Sequence, residues 1–122
     1  MKLEKGMYVR TKIGCICQIL RTTYSKYLSR NKELCYEVDR PINVNMELYD
    51  EDIFKASHNI IDLIEVGDYV NGYPVTTASN GLKSIYIDLR EDLGWRTKLY
   101  ETDIKSIVTK EQFESMQYKV GE

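Results

Sequence analysis

Apolar and polar positions along this chain alternate in short runs broken by turn residues, the period of half-buried β-strands. Tyr8 to Thr11 reads as a first strand, and Gly14 as the turn into a second. Ile13, Cys15, Cys17 and Ile19 recur at period two, which predicts one apolar face on that second strand. From Glu33 to Asp39 the chain alternates Leu34, Tyr36 and Val38 against Glu33, Cys35, Glu37 and Asp39. Pro41 then ends pairing, because it has no N–H to donate to a ladder. Asp50 to Ser57 accommodates one helical turn, and Asn59 is placed to cap a second over Ile60 to Leu63.

The pattern restarts at Gly67. Asn71-Gly72 is a two-residue hairpin signal, since both central positions of a type I′ turn need positive φ. Ser79-Asn80-Gly81 marks another turn, after which Ile85, Ile87 and Leu89 face one side and Ser84, Tyr86 and Asp88 the other. Glu91-Asp92-Leu93-Gly94 turns the chain into a strand from Trp95 to Tyr100. Thr109-Lys110-Glu111-Gln112 fits a capping box, which predicts a short helix from Lys110 to Met116. Tyr118 and Val120 are expected in a last strand.

Two echoes organise these elements. Glu4-Lys5-Gly6-Met7-Tyr8-Val9 returns 61 residues later as Glu65-Val66-Gly67-Asp68-Tyr69-Val70. Leu48-Tyr49-Asp50-Glu51-Asp52-Ile53 returns 51 residues later as Leu99-Tyr100-Glu101-Thr102-Asp103-Ile104. The conserved order implies a duplicated module of about sixty residues whose second copy is shorter in its middle. The expected modules are 1–58 and 59–122, joined through the stretch 50–64.

Four or five short strands with one helical turn, entered through Gly-x-Tyr-Val, make a small SH3-like barrel. Gly6 to Gly14 resembles the opening of such barrels in Tudor- and KOW-type modules. The expected fold is therefore mainly β: two tandem SH3-like small β-barrel modules with a short helix near the C-terminus. Over Gly6–Gly14, Lys55–Gly72 and Ile107–Glu114 the chain also resembles a group of small uncharacterised proteins of Gram-positive bacteriophages and prophages. That resemblance implies expression in an infected cell, where many small phage proteins bind and block host machinery. It carries no catalytic or binding residues over.

Composition adds bounds. With 43% hydrophobic and 30% charged residues in 122, and only two prolines, the chain has the make-up of a folded protein rather than a disordered one. No apolar run approaches the roughly 18 residues of a membrane span, and no signal-peptide core follows Met1, so a cytoplasmic location is expected. Three cysteines, an odd number, suit reduced thiols better than a closed disulfide framework. The net charge of −2 conceals a split: residues 1–32 carry eight Lys/Arg against one Glu, whereas 33–68 carry ten acids against two bases. Either the surface is dipolar and steers a charged partner, or basic and acidic strands neutralise each other across one sheet. Sequential strands usually pair, which favours the second.

Candidate chemistry is sparse. Cys15, Cys17, Cys35 and His58 are the one set resembling zinc ligands, but Ile13 and Ile19 complete the same face, and buried thiols behave as small hydrophobes. His58 has no nucleophile-elbow pattern to serve and suits a polar linker role. Asp50/Asp52 and Glu91/Asp92 fall in turns, where helix-start electrostatics account for them. No phosphate-binding glycine motif occurs. No catalytic residue, metal site or cofactor is expected.

The segment 21–32 is the candidate binding site: Arg21, Lys26, Arg30 and Lys32 interleave with Tyr24 and Tyr27, with no acid among them. Three readings fit it. It is a solvated hairpin loop, a protein contact anchored by Tyr and Arg, or a single-stranded nucleic-acid site in which cations hold phosphates and rings stack on bases. The ten tyrosines fit strand packing and, alternatively, a recognition surface. The expected function is a non-enzymatic, phage- or prophage-encoded protein that engages a host protein or ribonucleoprotein complex. Inhibition of a bacterial defence system, in the manner of an anti-CRISPR protein, is its concrete form. The alternative is a nucleic-acid or nucleotide binder using Arg21, Tyr24, Lys26, Tyr27, Arg30 and Lys32. No membrane partner is expected, and the sequence leaves the oligomeric state open.

Overall fold

The computed structural model describes residues 3–24, 33–40, 47–78, 83–90 and 95–116. The chain divides into two compact units, Met1–Leu63 and Ile64–Glu122. It is mainly β, with two antiparallel sheets and one short helix. Neither sheet closes into a barrel among the described residues.

In the first unit, β1 (Tyr8–Thr11), β2 (Ile16–Tyr24), β3 (Leu34–Val38) and β4 (Glu47–Leu48) lead to a 3-10 turn at Asp50–Asp52 and then β5 (Ile53–Ser57). A second 3-10 turn, Ile60–Leu63, closes the unit. The sheet order is β4-β3-β2-β1-β5. The helical reading of 50–57 thus holds only for its first three residues. From Ile53 on, the chain pairs with β1, in a register that sets Ala56 beside Val9. Leu3, Val9, Cys17, Ile19, Tyr36, Val38, Leu48 and Ile53 form the core, with Met7 and Ala56 packed against it. Each such large side chain contributes about 1.5–3 kcal/mol when removed from water.

Two expected faces shift. Ile13 lies in the turn before β2 and is 65% exposed, so the apolar face of β2 begins at Cys17. Leu34 is exposed while its neighbour Cys35 is fully buried, because β3 reaches past the core at its N-terminal end.

The second unit runs β6 (Tyr69–Val70), β7 (Tyr73–Thr77), β8 (Ser84–Arg90) and β9 (Trp95–Tyr100), followed by a 3-10 turn at Glu101–Asp103, β10 (Ile107–Val108) and helix α1 (Lys110–Met116). Its sheet order is β10-β6-β7-β8-β9, which is the first order shifted by five strands. Val70, Val75, Ile85 and Ile87 supply its buried apolar strand positions.

The registers correspond residue by residue. Tyr8 pairs with Gln18 and Ser57; Tyr69 pairs with Pro74 and Val108. A bulge follows Ile19 in β2, and another follows Val75 in β7. Both hexapeptides make the same turn, with Gly6 at φ 91° and Gly67 at φ 99°, a region in which a Cβ is strained. Met7 N–H donates to Glu4 O at 3.2 Å, and Asp68 N–H to Glu65 O at 3.1 Å. Ile19 N–H then meets Met7 O, as Val75 N–H meets Asp68 O, each at 2.8 Å.

Turn chemistry explains the second unit's shorter hairpin. Asn71, at φ 54°, and Gly72, at φ 87°, form the two-residue connection that Asn-Gly predicts. The capping box also forms: Gln112 N–H donates to Thr109 Oγ1 at 3.3 Å, and Thr109 N–H to Gln112 Oε1 at 3.1 Å. The expected turns at 79–81 and 91–94 and the last strand through Tyr118 and Val120 lie outside the described residues.

Candidate functional site

The candidate segment begins on the arm formed by β2 and β3. Arg21 sits opposite Glu37 across that ladder, and its Nε donates to Glu37 Oε2 at 2.6 Å. The basic strand and the acidic strand are neighbours, and this pair neutralises charge across them. Tyr24 lies directly opposite Leu34 at the end of the arm. Opposed residues share a face, and Thr22↔Tyr36 and Tyr36↔Leu48 place the pair on the side that carries the core. Beyond the core that face has no cover from the first unit's described residues: Tyr24 is 65% exposed and Leu34 47%. Lys26, Tyr27, Arg30 and Lys32 lie outside the described residues.

The other candidate groups have structural work. Among the described residues no three of His, Cys, Asp and Glu converge on a metal position. Cys17 is buried, and burial, aided by the charges of Asp39 and Cys15 against that of Arg40, pushes its thiol up to about 12. A thiol held protonated is not a nucleophile at neutral pH. His58 Nε2 stands 3.4 Å from Glu4 Oε2, with both side chains well exposed. Asp50 Oδ1 accepts the Tyr36 hydroxyl at 2.7 Å, and Asp52 Oδ2 accepts Tyr49 N–H at 3.0 Å. Burial first, then the hydrogen bond and charge of Asp50, push the Tyr36 phenol up to about 12. Glu91 and Asp92 lie outside the described residues.

Three features escape a pattern reading. Arg10, in β1, is fully buried, with Nη1 donating to Leu63 O at 3.0 Å and so tying the strand to the 3-10 turn of its own unit. Its position in a strand gave no sign of burial, since Arg is almost never fully buried. Asp68, also fully buried, stands where the first hexapeptide has Met7. The mismatch within that echo is the signal that marks it. Finally, Tyr86 and Lys98 are directly opposed in the second sheet, at the places that Glu37 and Glu47 take in the first. Lys98 Nζ lies 5.3 Å from the centre of the Tyr100 ring, within cation–π range. One sheet position is therefore acidic in the first unit and aromatic and cationic in the second.

No described helix is long and apolar enough to cross a membrane. Comparison of the chain with protein-family models, curated proteins and solved structures returns no match in any of the three.

Proposed function

We propose that the protein is a non-enzymatic binding protein that engages a protein partner through the Tyr24 and Leu34 end of the β2–β3 ladder. The observation that carries this reading is the contrast between two neighbouring sites on that arm. Arg21 is engaged by Glu37 at 2.6 Å, whereas Tyr24 and Leu34 present an uncovered apolar pair. A phosphate site needs cations without carboxylate partners, while a protein interface is anchored by an exposed aromatic beside an aliphatic side chain. The contrast favours protein over nucleic acid.

The common strand order, with a 3-10 turn before each final strand, supports reading each unit as an SH3-like module. The resemblance to phage and prophage proteins supports a host protein complex as the partner. Inhibition of a bacterial defence system is the concrete form of that proposal.

The test is affinity capture from host lysate with the parent chain, a Tyr24→Ala/Leu34→Ala variant and an Arg21→Gln variant. The expected result is one partner held by the parent and by Arg21→Gln, lost with the double variant, and little changed between about 50 and about 200 mM salt. Capture of nucleic acid instead, weakening steeply over that salt range and indifferent to Tyr24 and Leu34, would overturn it.

A further inference from the structure

We propose that the outer edge of β9 takes an extended acidic peptide segment of a partner protein, adding it to the second sheet as a further strand. Strand β9 is the last of its sheet, and among the described residues β8 is its only strand neighbour. Among the described residues its counterpart in the first unit, β4, offers only the buried pair Glu47 and Leu48, whereas β9 has six residues. Six residues are the length of an ordinary strand, enough to pair with another.

Hydrogen-bond phase decides which groups β9 offers. Tyr100 N–H donates to Asp103 Oδ2 at 2.9 Å and not to β8, so the Tyr100–Ser84 pair is of the non-hydrogen-bonded kind. Pair types alternate along an antiparallel ladder, so Lys98–Tyr86 and Arg96–Asp88 are of that kind too. The N–H and C=O groups of Lys98 and Arg96 therefore point away from β8, at the spacing an added strand pairs with.

Side chains select the occupant. Arg96, Lys98 and Tyr100 are exposed and share the outer face. Asp88 faces Arg96 across the ladder, and Glu101 and Asp103 follow Tyr100, so the positive charge centres on Lys98. An antiparallel strand would set an acidic side chain against Lys98 and, two residues earlier, an apolar one against Tyr100. The equivalent places in the first unit hold Glu37 and Glu47 and offer no cation to such a strand. A second copy of β9 fits poorly, because pairing centred on Lys98 opposes lysine to lysine. This surface belongs to the second unit, whereas Tyr24 and Leu34 belong to the first, and the proposed peptide site includes neither.

The test uses the full chain and a fluorescent peptide of about six residues in which Val precedes Glu by two places, Thr-Val-Thr-Glu-Thr-Thr, with a Val/Lys control that has Lys in place of the Glu. Expected are saturable binding, slowed exchange of the Lys98 and Arg96 amide protons, and no binding of a Val/Lys peptide. Lys98→Pro removes an outward N–H and the charge while leaving the β8 bonds in place, and should weaken binding at least about tenfold. Lys98→Gln, which keeps the N–H, should weaken it less. Should Lys98→Pro fail to fold, a Val/Glu peptide N-methylated on the amides facing β9 serves instead and should not bind the parent chain. Tyr24→Ala/Leu34→Ala should bind the peptide as the parent does, which separates this edge from the arm. Equal binding of the Val/Lys peptide, of the methylated peptide or of an oligonucleotide would overturn the proposal. So would self-association through β9, or unchanged amide exchange.

Discussion

The buried carboxylate of Asp68 accepts the backbone N–H of Lys110 at 2.9 Å through Oδ1, joining β6 to the first residue of α1. Its other oxygen accepts Glu65 N–H at 2.7 Å. In the first unit Met7 Sδ takes the matching N–H, from Glu4, at 3.2 Å, and the final strand is followed by the 3-10 turn Ile60–Leu63 rather than by an α-helix. A seven-residue helix is too short to persist alone, so it depends on such contacts and on the stack of Phe113 against Tyr69, with ring centroids 4.8 Å apart. Asp68→Asn keeps one acceptor oxygen and should cost about 1–3 kcal/mol; Asp68→Met should cost at least as much and free the helix. Urea unfolding gives the first quantity, and exchange of the Phe113 amide, bonded to Thr109 O at 2.9 Å, reports the second.

Asn71 holds the β6–β7 turn to the segment after β9. Its Nδ2 donates to Asp103 O at 2.9 Å, while Oδ1 accepts the N–H groups of Lys105 and Ser106 at 2.7 and 3.1 Å. Asn71→Gly relieves the positive φ but loses all three bonds; Asn71→Asp keeps the acceptor; Asn71→Ala loses the bonds and retains the strain. Stability should fall in the order Asn, Asp, Gly, Ala, with Ala about 2–3 kcal/mol below the parent. Thermal unfolding of the four proteins checks the order.

Alkali should destabilise the first unit. Cys17 rises from an ordinary value of 9.0 to about 12, and Tyr36 from 10.0 to about 12. Both groups are charged when deprotonated, so the unfolded chain loses these protons before the folded one. The contribution is complete below pH 9 and is lost as pH climbs toward 12. Denaturant midpoints from about pH 8 to about pH 11 should decline, and Cys17→Ala with Tyr36→Phe should flatten the decline relative to the starting value. In native protein at pH 8, thiol reagents should reach Cys15 first, since Cys17 and Cys35 are buried.

Tyr24 and Leu34 should matter little to folding. Their exposure predicts that Tyr24→Ala and Leu34→Ala each change stability by no more than about 0.5 kcal/mol. The Arg21–Glu37 pair, with side chains 65% and 30% exposed, should yield a coupling of about 0.2–1 kcal/mol in a double-mutant cycle and less in high salt. A larger value would mean that the arm is stabilised by charge rather than by its backbone ladder.

Local rules made much of this architecture legible. Asn71-Gly72 forms its turn and Thr109–Gln112 its box because a few adjacent residues supply all the required conformations and hydrogen bonds. The two echoes likewise mark equivalent places: Val9 pairs with Ala56 as Val70 pairs with Ile107, the second members being 51 residues apart like the second echo. The candidate arm was found by composition, which counts charges but not their partners.

Tertiary structure decided the rest. Ile13 has the right period for a core face yet stands in a turn, and Leu34 does too yet projects past the core, because period assigns a side and not a depth. Whether Arg21 is open to a phosphate depends on Glu37, sixteen residues away, and strand register alone brings them together. Burial of Arg10 and Asp68 depends on acceptors and donors at Leu63 and Lys110, contacts over a range at which sequence periodicity carries no signal.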